Sequence, residues 1–225
     1  MNLSYTAIAE KTGKPVDAWW VKFFADPIAI LLTALTLRVF PRVSPHLVTT
    51  GSLLFGIAAA WLFFEGKLFA AAILYQVSFV FDCVDGKVAR MQNRPTKLGA
   101  FYDGLVNHIV YIANLIGLGL GVQSDTANLL LIALLAIWSI NSFLNETLVR
   151  PKAGTWSHFV PQDSSWLARR GLLPPGSFPD KHALLFLAFP LLSEPVKGMV
   201  LIFVMDLLLI GFKIRKALRQ TKEAD

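Results

Sequence analysis

Three acidic side chains stand where apolar ones are the rule. Asp82 and Asp85 interrupt the run LYQVSFVFDCVDGKVAR, and Asp103 interrupts LGAFYDGLVNHIVYIANLIGLG. An ionised Asp near the centre of a membrane helix costs about 2.5–3.5 kcal/mol, so such residues are rare and usually functional. Asp82 and Asp85 are three residues apart, one above the other on one helical face. Pro95 marks a turn between the two runs, with Asp85 ten residues before it and Asp103 eight after it. The short connection makes the two helices antiparallel neighbours, and at about 1.5 Å rise per residue the carboxylates reach similar depth.

Converging carboxylates repel one another unless positive charge sits among them. Lys87 and Arg90, the nearest fixed cations, are too few to neutralise a cluster and also serve a substrate. A divalent metal meets the need, and hard oxygen donors without His or thiolate favour magnesium or manganese over zinc. Two ions bridged by Asp85 would form the clamp used in phosphoryl chemistry, stabilising both the attacked phosphate and the leaving oxygen. Gly86 and Ala89 leave one helix face bare, and Gly99 does the same four residues before Asp103. That space suits either close helix packing or a planar or phosphate-bearing ligand.

The elements that must position these residues are membrane helices. Of the 225 residues 55% are hydrophobic and 16% charged, with 17 Phe and 6 Trp, and the mean hydropathy is +0.55. No globule of this size hides so much apolar surface. Disorder, collagen and a disulfide framework are excluded, and the lone Cys83 closes no intrachain bridge. Six stretches read as spans: 45–64, 68–90, 98–122, 126–149, 182–192 and 195–212. The fifth is short and draws in 178–181, with Ser177 or Asp180 as its cap. Residues 27–40, preceded by Trp19, Trp20, Phe23 and Phe24 and containing Arg38, read as an amphipathic helix lying in the interface.

With a cytoplasmic start, the inner segments 1–44, 87–97, 150–181 and the tail from 213 carry 5, 4, 5 and 5 Lys or Arg, leaving only Lys67 and Lys197 outside. The net charge of +6 is thus topology rather than a nucleic-acid footprint. The expected organisation is an N-terminal cytoplasmic segment with the interfacial helix (1–44), a six-span all-α domain (45–216) and a cytoplasmic tail (217–225). The protein is expected in the cytoplasmic (inner) membrane, multi-pass, with its site facing the cytoplasm. Residues 1–22 lack the apolar core of a signal peptide. The Pro- and Gly-containing segment 150–181, long for a connector, reads as a binding lid.

The segment FDCVDGKVARMQNRPTKLGAFYDGLVN resembles the signature of the CDP-alcohol phosphotransferases, DxxDGxxAR, eight residues, then GxxxDxxxD. Asp82, Asp85, Gly86, Ala89, Arg90, Gly99 and Asp103 match with every spacing kept, and SPHLVTTGS is similar to the opening of that family's first span. The resemblance implies transfer of a phospho-alcohol group, phosphatidyl by expectation, from a CDP-linked lipid or alcohol donor to an acceptor hydroxyl. CMP is released, as a step of phospholipid biosynthesis. It implies CDP-diacylglycerol as donor, two Mg2+ or Mn2+ ions on Asp82, Asp85, Asp103 and position 107, and a homodimer. Gly86, Ala89, Arg90 and Gly99 would face the nucleotide, and by position His46, Thr49 and Thr96 would touch the donor.

One position departs from the pattern. Where the family carries its last Asp, the general base, this chain has Asn107. An amide oxygen can ligate a metal but cannot take a proton at neutral pH. Either the residue is an introduced change that traps substrate, or another base serves, or the chain is a silent CDP-lipid-binding relative. His108 is a candidate base, yet it lies about 100° round the helix from Asn107, and a packing role is the commoner one.

Other residues carry paired readings. Asp206 pairs with Asn141 or Asn145 within the bundle or serves a second site. Asn107, Tyr111 and Asn114 share a face that lines an acceptor cavity or bridges helices. Arg150, His158, Arg169, Arg170 and His182 bind an acceptor phosphate or answer to topology and anionic headgroups. Trp156 and Trp166 form an aromatic cage or anchor the interface, and Cys83 is a small packing residue. The competing function is a small ion-coupled transporter, against which stands the lack of two related halves with interrupted helices.

Overall fold

Turn residues cut the apolar runs into helices that then pack by side-chain size. The computed structural model describes residues 2–145 and 166–222. In chain order its helices are α1 (Tyr5–Thr12), α2 (Asp26–Val39), α3 (Pro45–Phe64), α4 (Leu68–Met91), α5 (Lys97–Gly121), α6 (Asp125–Leu144), α7 (Trp166–Arg169), α8 (Phe178–Ala183), α9 (Phe189–Leu191) and α10 (Pro195–Lys222). Among the described residues five are long and apolar enough to cross a membrane: α3, α4, α5, α6 and, over Pro195–Arg215, α10. The chain is an all-α, multi-pass membrane bundle. Its outward faces carry Leu54, Trp61, Phe69, Leu129, Ile132 and Leu208 exposed, as lipid contact requires.

The expected fifth crossing is a continuous helical run over 178–191 that changes its winding partway along. α8 and α9 are joined by a π-helical turn, Leu184–Ala188, in which the Phe189 N–H reaches back five residues to the Leu184 carbonyl. Pro190 follows, and α2 repeats the device: a π turn at Val21–Ala25, closed from Asp26 to Val21, precedes Pro27. Proline has no N–H for the α-helical bond and its ring crowds the carbonyl four residues back, so a widened turn before it lets the helix continue.

Packing differs from the expected hairpin in one respect. α4 and α5 run antiparallel, but each packs most closely against α3 and not against the other. The cause is a row of missing side chains. A Cβ on Gly117 would lie 2.2 Å from the Ala60 carbonyl oxygen, one on Gly121 1.9 Å from that of Phe63, and one on Gly56 2.6 Å from Val110. Backbone therefore touches backbone along α3 and α5. Asn114 bridges the same pair, donating to the Gly56 carbonyl at 3.0 Å. With α3 wedged behind them, α4 and α5 are joined chiefly through it.

Two apolar clusters hold the bundle. The larger joins Phe63, Tyr75, Tyr111, Leu115, Leu118, Leu134, Phe186 and Ile202; the smaller seats α1 and α2 on α4 through Ile8, Ala29, Leu37, Val84, Val88 and Met91. Cys83 packs beside the second cluster. Lys87 Nζ meets Asp26 at 2.5 Å, so this lysine pins the start of α2 and does not serve the carboxylates. Residues before α2 are tied to those before α8 and to its first turn. Asp17 and Leu172 form a parallel bridge, the Leu173 N–H donates to Asp17 at 2.9 Å, and the Trp20 N–H donates to Asp180 at 2.8 Å. Residues 146–165 lie outside the described residues, and with them Arg150, Trp156, His158, the end of the fourth expected span and half of the expected lid.

Candidate active site

Helix geometry brings the three aspartates together. One carboxylate oxygen from each of Asp82, Asp85 and Asp103 lies within 4.8 Å of the others. Asp85 is only 4% exposed, and Asp82 Oδ1 and Asp85 Oδ2 are buried with no hydrogen-bond partner. An unpartnered buried carboxylate oxygen is costly, and three carboxylates this close cannot all be anionic without a cation. The donor set is all oxygen and one oxygen of each carboxylate converges, so these residues fit a hard divalent metal. Asn107, one turn beyond Asp103, donates from Nδ2 to Asp103 Oδ1 at 2.9 Å.

A cavity of about 390 Å³ opens on one side of the cluster. Asp85 and Asp103 form its floor, and Gly86, Ala89, Arg90, Gly99, His46, Thr49 and Thr96 line it, so the sequence-predicted donor residues share one wall. The glycines keep it open: a Cβ on Gly86 would lie 3.4 Å from the Arg90 guanidinium, and one on Gly99 3.0 Å from Thr96 Oγ1. Thr96 is the N-cap of α5, accepting from the Gly99 N–H at 2.9 Å. His46 stands edge-on to Tyr102, whose hydroxyl meets Thr50 Oγ1 at 3.0 Å. Arg42 and Arg94 complete the wall. Sequence reasoning missed them as site residues because it counted both only towards topology. With Arg90 they gather three guanidinium groups, the geometry that suits clustered phosphates.

Asp82 and Asn107 face elsewhere, into a cavity of about 140 Å³ shared with Ser52, Tyr75, Ser78, Phe178 and His182. A third cavity, about 260 Å³, adjoins it at Phe178 and His182 and extends to Lys181 and Asp206. His108 lines that third cavity, held by the Gly104 carbonyl at 2.7 Å and edge-on to Trp138, so it stands apart from the carboxylates.

Several pairings differ from those expected. Asp206 bonds Lys181, not Asn141 or Asn145; the two asparagines accept from Lys213 at 2.5 and 2.8 Å. His182 is 5% exposed and stacks on Tyr111, away from any headgroup. Arg170 lies over the Trp166 indole at 4.1 Å, which fills the face a caged amine would need. Arg169 lines none of the four cavities described. Apart from Arg170 and Trp166, which are four residues apart, these partners sit on separate elements, so no local spacing reveals them.

The CDP-alcohol phosphatidyltransferase family model matches residues 42–211, and the chain belongs to that family of enzymes. The bifunctional IPC transferase and DIPP synthase of Thermococcus kodakarensis is 39% identical over 69 residues. That match takes in 31% of this chain and 16% of the relative, so the chain spans about a sixth of that protein's length. The fold is similar to crystal structures of Mycobacterium tuberculosis phosphatidylinositol phosphate synthase. The apo form has TM-score 0.58 and 24% identity, covering 82% of this chain and 93% of that one. The form with CDP-DAG bound has 0.57 and 22%, covering 85% and 92%. The complex with manganese and citrate has 0.58 and 23%, covering 83% and 87%. At these identities the likeness concerns the fold. Family membership sets the transporter reading aside.

Proposed function

We propose that the chain transfers a phosphatidyl group from CDP-diacylglycerol to an acceptor hydroxyl with release of CMP. The observation that supports this most is the convergence of Asp82, Asp85 and Asp103, with buried oxygens of Asp82 and Asp85 left without partners, beside an arginine-walled cavity that Asp85 and Asp103 line. Asp82, Asp85, Asp103 and the Asn107 amide oxygen would hold two Mg2+ or Mn2+ ions, supplying neutralisation of the pyrophosphate and polarisation of the attacked phosphorus. Arg90, Arg42 and Arg94 bind the donor phosphates in this reading. Gly86, Ala89 and Gly99 leave room for the cytidine, and His46, Thr49 and Thr96 orient the donor at the mouth. The unoccupied role is the one the family gives to its last Asp, since Asn107 accepts no proton.

The same reading takes residues 178–191 as a sixth crossing and α2 as an interfacial helix ahead of a six-span domain, 45–216, with 217–225 as a tail. An even number of crossings is what keeps the basic segments at both ends on the cytoplasmic side, where the site would open. Two copies would assemble as a homodimer.

The test is CMP release from CDP-diacylglycerol in detergent with Mn2+ and inositol 1-phosphate, glycerol 3-phosphate, serine or an amino-alcohol. Release that needs both metal and one of these alcohols supports the reading. Metal-dependent nucleotide binding with no release under any alcohol would identify a silent CDP-lipid-binding relative, the reading that Asn107 favours.

A further inference from the structure

His182 is a buried imidazole with one nitrogen committed and one free. Nδ1 meets the Tyr75 hydroxyl at 2.7 Å, while Nε2 is buried without a hydrogen-bond partner. The ring is clamped, stacked on Tyr111 at 4.7 Å between planes 7° apart and set against Phe178 at 3.7 Å between centroids. It lines the cavity that Asp82 and Asn107 enter, and this cavity shares no lining residue with the arginine-walled one. The carboxylate cluster therefore stands between two chambers, one walled by arginines and the other lined by His182, whose Nε2 has no partner.

From this placement we infer that His182 is the general base for the acceptor hydroxyl, replacing the carboxylate that Asn107 cannot supply. The inference rests on the transferase reading. In-line displacement needs the incoming oxygen and the departing CMP on opposite faces of the phosphorus, as two chambers flanking the cluster allow. In the tautomer that serves, Nδ1–H donates to Tyr75 Oη and Nε2 carries the lone pair. The acceptor O–H proton passes to Nε2 as the O–P bond forms. The P–O bond of the anhydride breaks and CMP leaves with that electron pair. Tyr75 acts as a positioning residue, fixing the tautomer through Nδ1.

The test is a cycle of His182→Gln and Asn107→Asp, read by CMP release from CDP-diacylglycerol with Mn2+ and whichever alcohol above supports wild-type release. Alongside it run thermal unfolding and Mn2+-dependent binding of CDP. His182→Gln alone is expected to slow release about 10²-fold or more, the usual loss for a positioned base, with nucleotide binding unchanged. In the Asn107→Asp background the same change is expected to cost less than about threefold, because a carboxylate again takes the proton. Should His182→Gln unfold the protein, Tyr75→Phe replaces it and is expected to slow release in the wild-type background only. Equal fold-losses in both backgrounds would assign His182 to packing, and an unaltered rate would remove it from the reaction; either overturns the inference. A wild type that binds CDP but never releases CMP would overturn the transferase reading and the inference together.

Discussion

The Asn107 amide donates to Asp103 Oδ1 across 2.9 Å, one turn apart on α5. The amide nitrogen thus occupies an oxygen of a candidate metal ligand, and an Asp at 107 would repel that oxygen until a cation came between them. Asn107→Asp is expected to raise CMP release about tenfold or more, part of the 10²–10⁴ that a positioned base contributes. It is also expected to enlarge the rise in Tm that Mn2+ produces. An unchanged or slower rate would take Asn107 out of the proton-accepting position.

Asp85 is the most buried of the three carboxylates. Removing its charge relieves repulsion and removes a ligand at once. Asp85→Asn is expected to raise the Tm of the metal-free protein, to abolish the further rise with Mn2+ and to stop CMP release. Thermal unfolding with and without EDTA reads all but the last. A lower metal-free Tm would mean that the carboxylates are not in electrostatic conflict.

Much of this site was legible in the sequence, and the reason is local. Asp82, Asp85, Gly86, Ala89 and Arg90 share one helix, Thr96, Gly99 and Asp103 follow one turn, and helical rise alone sets their depth. What was not legible depends on azimuth and on distant partners. Hydropathy gives no rotation about a helix axis, so the wedge of α3 behind α4 and α5 went unseen, although Gly56, Gly117 and Gly121 were its signal. Lys87 with Asp26, Lys181 with Asp206, and Tyr75 with His182 join residues from different elements, and no spacing rule connects them. The short fifth span hid a π turn, for which Pro190 was the clue.

The α3 wedge makes a steric prediction. Gly117→Ala forces a Cβ against the Ala60 carbonyl oxygen, backbone that cannot swing aside, and is expected to cost about 1–3 kcal/mol as overpacking does. Gly104→Ala, on the same helix with nothing within 4 Å of the added carbon, is expected to be neutral or to stabilise by up to about 1 kcal/mol. Unfolding in detergent compares the two. Equal effects would mean that α3 and α5 do not meet backbone to backbone.

Lys87 has a side chain only 3% exposed, and its charge is answered by Asp26 at 2.5 Å. Asp26→Ala leaves that ammonium buried and alone, which is expected to destabilise by about 3 kcal/mol. Asp26→Ala with Lys87→Met removes both charges and is expected to be the more stable of the two variants. If the double variant unfolds at the lower temperature, α2 is held by something other than this pair.

Anomalous diffraction at the manganese edge, from crystals grown with Mn2+ and CDP-diacylglycerol, tests the metal-held pyrophosphate most directly. The expected map places manganese at coordination distance from Asp82, Asp85 and Asp103, with the pyrophosphate on the same ions and the cytidine beside Gly86 and Gly99. Ordered nucleotide with no manganese peak between those three carboxylates would contradict it.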